Sequence, residues 1–484
     1  MTSQSGSRSD NRRVGSGRGG SRQAGSALRR FGATTTFRPS LSFILLMVFL
    51  AILWIAGGAS RGDVPGQVVV RGAAWTMLVL VALFGPKPIL KPERPVLVFL
   101  LLALALAVLQ LVPLPPAIWQ ALPGRALFTE AATALGEAQP WRPIAIVPSA
   151  TFNAAASLVV PFTILILICG LREPERSWLP TVLLGLVATS TLLALLQFSG
   201  SRFNNPLIND TVGQISASFA NRNHLALFLA FGCLLVPTWA FLKSSQSAFR
   251  MVAALGMLVF FTLMILATGS RAGLVLAAIA LVVGPLMVRH AIAKTMRRYP
   301  RWVLPTVVGG SAVTLVLAVL TAISSNRAVS INRIFAPSGG EDMRGRALPT
   351  VLDMISSYFP VGSGLGGFDP IFRIHEPMSL LKLTYFNHAH NDVLEIVLDA
   401  GLLGALLLAS AILWWAFASV RAWRSGSDAL LARLGSTMIG LTIVASVFDY
   451  PARTPMIMAM LVIAASWLCR SKATLEGPAL RAEG

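Results

Sequence analysis

Apolar residues in this chain come in long, nearly unbroken runs rather than in short alternating segments. Each run covers roughly 17 to 25 residues, enough for a helix to cross about 30 Å of hydrocarbon, whereas a membrane barrel shows a weaker alternating pattern. In lipid every backbone polar group must be satisfied within the segment, so the runs predict helices. About twelve spans are expected, centred near Val48, Met77, Leu104, Thr163, Val187, Phe231, Met257, Ile279, Val313, Leu407, Ile439 and Val462. The expected fold is all-α: a polytopic helical bundle with spans 1–9 in residues 39–324, a large loop over 325–390, and spans 10–12 in residues 391–469. Residues 1–38, rich in Ser, Gly and Arg with few large apolar side chains, are expected to be a disordered basic tail. Residues 470–484 form a second tail.

Composition supports a membrane class. Of the 484 residues 55% are hydrophobic and only 12% charged, against about a quarter charged in soluble domains. Cys169, Cys233 and Cys469 lie inside apolar runs without metal-ligand spacing, so they are expected to be small buried hydrophobes. The first apolar run begins near Leu41 and many more follow, which predicts a span rather than a cleavable signal peptide.

The net charge of +20 is distributed unevenly. With both tails cytoplasmic, the segments on that side carry 26 Lys and Arg against 7 Asp and Glu, and the rest of the chain carries 14 against 13. The positive-inside rule predicts such a split. The charge is therefore topological, pointing to contact with the lipid bilayer and its anionic lipids, not to nucleic acid. This orientation places three long segments on the outer face, about 113–153, 198–223 and 325–390, with a short helix expected around Leu348 to Tyr358.

Polar chemistry collects on that outer face. His224, His375, His388 and His390 fall there, with Arg222, Arg271, Arg344, Arg346, Arg373 and Arg453. Arginines from distant segments at one surface suit a multiply charged phosphate group, which guanidinium binds in bidentate fashion. Arg271, in Ala267-Thr-Gly-Ser-Arg-Ala-Gly273, sits between two spans with almost no loop. A charge at that boundary needs a partner, either a carboxylate such as Asp449 or Glu395, or a substrate phosphate. In His388-Ala-His390-Asn391-Asp392, Asn391 is a candidate cap for the span that follows. Both histidines then lie at the positive end of a helix, which suits a neutral imidazole base. Asp392, Glu395 and Asp399 share one helix face, expected to turn inward.

Two chemistries are disfavoured. The stretch Pro360 to Phe368 with Gly362, Gly364, Gly366 and Gly367 is not followed by a Walker lysine, so it is not expected to be a nucleotide-triphosphate cradle. No Asp-x-Asp pair occurs in a cytoplasmic loop, which argues against a metal-dependent enzyme using nucleotide sugars.

Phe219-Ala-Asn221-Arg222-Asn223-His224, Ser270-Arg271-Ala272-Gly273, Gly362-x-Gly364-x-Gly366-x-Phe368 and His390-Asn391-x-x-Leu394-Glu395 with Gly401 and Gly404 together resemble the O-antigen ligase and polymerase superfamily, as does Trp141-Arg-Pro-Ile. The resemblance spans roughly residues 140–455 and rests on the order of the motifs and their shared face. It implies a glycosyltransferase of the bacterial inner membrane. Such an enzyme moves a glycan from an undecaprenyl diphosphate carrier to a hydroxyl acceptor, a growing glycan or lipid A core, on the periplasmic face, without metal or cofactor. It implies His390 as catalytic base with His388 second, Glu395 orienting the histidine or the acceptor, and Arg271, Arg344 or Arg346, and Arg222 on the diphosphate. Asn221, His224, Asn391, Gly362 and Gly364 are expected in support. The alternative class is a transporter or flippase, which should place ionisable groups and broken helices at the bilayer midplane, where few are expected here.

Overall fold

A computed structural model describes residues 38–201, 203–208, 213–242, 248–302, 339–381, 386–426 and 429–470, with scattered positions between 305 and 320. Among them, seven helices are long and apolar enough to cross a membrane: Pro65–Phe84, Pro148–Cys169, Glu173–Phe198, Arg222–Phe241, Phe249–Thr268, Asp392–Arg424 and Leu430–Phe448. Arg271–Met287 and Arg289–Met296, bent by 61° at their junction, make an eighth if taken as one span. Three shorter apolar helices, Leu41–Ala56, Arg94–Gln110 and Pro455–Cys469, stand at the remaining described span positions. The span expected around Val313 is described only at scattered positions, and most of both tails lie outside the described residues. The only strands described are Pro113–Leu114 and Arg142–Pro143, an antiparallel pair with Pro113 opposite Pro143.

The core is built around the 222–241 helix. From Leu225 to Val236 every side chain is buried, including Phe228, Phe231 and Leu235. A helix apolar all round belongs at the centre of a bundle. Small residues bring its neighbours close: a Cβ on Gly273 would lie 2.5 Å from the Ala226 methyl, and one on Gly232 would lie 2.6 Å from Val187. Close backbone approach through small residues is how membrane helices gain packing without a hydrophobic driving force. It also sets the starts of the 222–241 and 271–287 helices side by side. Cys169, Cys233 and Cys469 are free and buried, as expected of small hydrophobes.

Polar staples close one end of the bundle. The buried Glu93 carboxylate accepts from Arg470 Nε at 2.7 Å and Ser466 Oγ at 3.1 Å, and lies 3.5 Å from Arg176 Nη1. Glu175 accepts from Ser40 N at 2.6 Å and from its hydroxyl at 2.8 Å, fixing the start of the first described helix.

At the other end the chain builds a cap. Met343, Ala347, Val351, Met354 and Tyr358 form one face of the Gly339–Tyr358 helix and pack on Phe368, Ile371, Phe372, Leu380 and Leu398. Spacings of three and four residues put them on a single stripe. This helix contains the short one expected at Leu348 to Tyr358.

The 33-residue Asp392–Arg424 helix is broken at Gly401, which has φ 56° and ψ −141°. Backbone groups freed by a break in a buried stretch of helix must find partners, and the 360–366 loop supplies them. Leu402 N donates to Pro360 O at 2.8 Å, Ser363 N to Leu398 O at 2.9 Å and Gly364 N to Asp399 O at 2.9 Å. Gln110 Nε2 also donates to Asp399 O at 2.9 Å, and Gln110 Oε1 accepts from Leu365 N at 3.0 Å. The glycines at 362 and 364 thus turn sharply to seal a broken helix. Beyond the break, residues 402–424 still reach about 34 Å at 1.5 Å per residue, enough to cross.

A fully buried arginine locks this loop from outside. Arg125 donates to Pro123 O at 3.0 Å, Ile144 O at 2.7 Å and Gly362 O at 3.0 Å, and its guanidinium lies 5.6 Å from the Trp119 ring and 5.7 Å from the Tyr358 ring. Burial pulls it down to about 10, so it remains a cation at neutral pH.

A Cβ on Gly401 would lie 2.0 Å from Pro360 O, and its positive φ is strained for other residues. Gly401→Ala is expected to cost about 2 kcal/mol or more, seen as a fall of several degrees in the unfolding midpoint of detergent-purified protein. An unchanged midpoint would show that the loop gives way freely.

Candidate functional site

A cavity of about 680 Å³ opens at the capped end. Its polar lining consists of Gln214, Arg222, Asn223, Arg271, Arg344, His390 and Asn391, and its apolar wall includes Val275, Ala347, Leu348, Val351, Phe386, Leu394, Val447 and Phe448. No carboxylate is among the described lining residues.

Local sequence places each cation. Asn221 caps the 222–241 helix, its Oδ1 accepting from Asn223 N at 2.9 Å. Ser270 caps the 271–287 helix, accepting from Gly273 N at 2.9 Å. Arg222 and Arg271 are therefore the first residues of two adjacent helices, whose positive dipole ends face the same space. Arg344 reaches in from the cap helix, donating to Phe448 O at 3.0 Å and lying 3.9 Å from Asp449 Oδ2. Asn391 caps the 392–424 helix, accepting from Val393 N at 3.0 Å and Leu394 N at 3.1 Å.

His390 sits in the left-handed region with φ 52°, an uncommon conformation for a residue with a side chain. Its Nδ1 donates to Asp449 Oδ1 at 3.1 Å. A carboxylate on Nδ1 fixes the tautomer and leaves Nε2 with a lone pair, the form a general base requires. Asp449 accepts further on Oδ2, from Asn221 Nδ2 at 2.9 Å and Asn223 Nδ2 at 2.6 Å. Burial alone would raise the Asp449 carboxyl. The His390 hydrogen bond and the nearby Arg344 charge oppose that, and the carboxyl is held far below the usual carboxylate range.

Behind the cavity wall lies a second network. Arg453, from the turn between the last two helices, is 3.0 Å from Asp392 Oδ1, 2.9 Å from Glu395 Oε1 and 3.9 Å from Asp399 Oδ2. The expected inward face of three carboxylates is real, and Arg453 is its counter-charge. Burial disfavours that charge, but Glu395, Asp392 and Asp399 raise Arg453 above its ordinary value, so it stays protonated. Glu395 also takes His388 Nδ1 at 2.8 Å and Ala389 N at 2.9 Å. Tyr450 stands between the layers, its ring centroid 4.1 Å from that of His388, 5.1 Å from His390 and 5.3 Å from His224. Burial and the Asp449 charge push its phenol up, so it remains neutral.

The residues singled out in the sequence thus divide. Arg222, Arg271, Arg344, His390 and Asn391 meet at the cavity. His388 and Glu395 support it from behind. Asn221 braces Asp449, and the buried His224 shares a 3.0 Å hydrogen bond between Nδ1 and Thr454 Oγ1. Gly362 and Gly364 pack on the break in the 392–424 helix. Arg346 points from the same helix as Arg344 to Ser379 O at 2.6 Å. Arg373 pairs with Asp369 at 2.8 Å, and His375 contacts the Tyr358 hydroxyl at 3.0 Å. The largest omission in the sequence reading is Asp449 as the partner of His390. The signal was present, since Asp449-Tyr-Pro-Ala-Arg453 interrupts two apolar runs on the face expected to be external.

Residues 255–409 match the family model described as O-antigen ligase. The matched stretch, about a third of the chain, carries Arg271, Arg344, His390 and Glu395, and it supports membership of the O-antigen ligase and polymerase superfamily. The chain is a multi-pass membrane protein, and its matched stretch is similar to the O-antigen ligase family. No curated protein matches the chain.

Replacing Arg453 by Met leaves Asp392, Glu395 and Asp399 without their shared cation. Losing one partner of a buried ion network costs about 3–5 kcal/mol, so Arg453→Met is expected to lower membrane abundance and the unfolding midpoint sharply. Wild-type abundance and midpoint would show that the three acids do not depend on it.

Proposed function

We propose that this protein transfers a glycan from an undecaprenyl diphosphate carrier to a hydroxyl acceptor in the cavity, on the periplasmic face of the inner membrane. The observation that carries this reading is one cavity in which three arginines and one carboxylate-oriented histidine face each other with no acidic residue among the described lining. Such a set suits an anionic leaving group and a neutral nucleophile.

The acceptor hydroxyl gives its proton to His390 Nε2 as its oxygen bonds to the anomeric carbon of the donor. The bond from that carbon to the diphosphate breaks, and its electron pair leaves on the carrier. Arg222, Arg271 and Arg344 take up the charge of the departing diphosphate. Asp449 keeps His390 in the correct tautomer and steadies the imidazolium, in the manner of a triad carboxylate. With no carboxylate among the described lining residues to form a glycosyl-enzyme, the reading is of a single displacement that inverts the anomeric configuration. The apolar wall of Val275, Leu348, Val351 and Phe448 accommodates the carrier's first isoprene units. The acceptor, a growing glycan for a polymerase or lipid A core for a ligase, separates the two members of the class. Gene disruption separates them too: short surface glycan marks a polymerase, and accumulated carrier-linked polymer marks a ligase.

The test is product analysis with purified protein in detergent, a defined lipid-linked donor and no ion gradient. Transfer with inversion is expected, falling about a hundredfold or more in His390→Ala while the protein remains in the membrane. Retained turnover in that variant overturns the mechanism, and solute uptake by vesicles without glycan transfer would favour a transporter. Arg271→Lys replaces a two-pronged donor by a point charge. It is expected to lose roughly tenfold or more in kcat/KM for the donor, and normal kinetics would assign Arg271 a structural role.

A further inference from the structure

We infer that residues 289–302 form a binding surface for anionic phospholipid headgroups at the end of the bundle remote from the cavity. The 271–287 helix starts at the cavity with Arg271 and runs 17 residues, about 25 Å at 1.5 Å per residue. There the chain bends by 61° into the Arg289–Met296 helix, so the following segment runs across the bundle axis rather than along it. Ile292 packs against the main core and Thr295 is buried. The opposite face leaves Arg289, Lys294, Arg297, Arg298 and Arg301 exposed, and the sequence from 289 to 302 contains no acidic residue.

The neighbouring elements add like charge. Arg289 lies within electrostatic range of Arg433, and Arg421 and Arg424 close the 392–424 helix, which also starts at the cavity and ends away from it. Cations gathered this densely repel one another unless anions lie between them. The shelf ends in Tyr299, 39% exposed, and Trp302, 66% exposed, ring types that settle at headgroup level in a bilayer. A shelf transverse to the helices, basic throughout and edged by aromatic rings, fits an array of lipid phosphates lying in one plane. This inference does not depend on the proposed glycan transfer.

The experiment is native mass spectrometry of the full-length protein in nonionic detergent, titrated with phosphatidylglycerol or with phosphatidylcholine of the same acyl chains. Wild type is expected to retain phosphatidylglycerol in preference. The double variant R297Q/R298Q, altered only at exposed positions, is expected to lose about tenfold or more of that affinity, since each basic residue contributes about 1 kcal/mol at an anionic surface. Its phosphatidylcholine binding and unfolding midpoint should not change. Equal retention of the two lipids by wild type, or undiminished phosphatidylglycerol binding by a folded variant, overturns the proposal.

Discussion

The candidate site depends on one buried carboxylate. Asp449 lies at the end of the 430–448 helix, almost wholly out of water, where an ionised acid is tolerated only if paired and hydrogen-bonded. Its partners come from separate parts of the chain: Asn221 and Asn223 at the start of the 222–241 helix, His390 from the turn before the 392–424 helix, and Arg344 from the cap. Satisfying this single group aligns three elements at one point. The cavity is the space left where they meet.

A second layer makes the first rigid. His390 holds a left-handed backbone conformation, and strain of that kind persists only where the surroundings over-determine it. Here they do. Tyr450 touches the rings of His388 and His390, Glu395 grips His388 and the Ala389 amide, and Arg453 grips Glu395. The five residues from Asp449 to Arg453 thus brace both histidines from one short turn. A functional side chain held to within about 0.5 Å needs such support.

The break at Gly401 and the buried Arg125 extend the same economy of polar groups to the backbone. Opening a helix where it is buried frees carbonyls and amides that water does not reach, and the 360–366 loop and Gln110 take them up. Arg125 in turn holds that loop through Gly362 O. The result is a short helix, 392–400, that belongs to the site, followed by a long one that belongs to the bilayer.

The sequence alone determined the class of the protein, because the demand that lipid makes on the backbone leaves its mark residue by residue in long apolar runs and in the basic bias of their connections. Motif order and exposed-face polarity also marked Arg222, Arg271, Arg344, Arg346, His388 and His390 as candidates, since a charge beside a span is costly unless it is paired. Tertiary structure alone separates Arg344 from Arg346, two residues apart on one helix but turned 200° from each other at 100° per residue, so that of the two only Arg344 lines the described cavity. It also sets His388 apart from His390, which differ not in residue type but in whether Glu395 or Asp449 lies within hydrogen-bond reach. The hydrogen bonds that converge on Asp449 join residues up to 228 positions apart, and no local pattern encodes a contact formed only when distant helices pack.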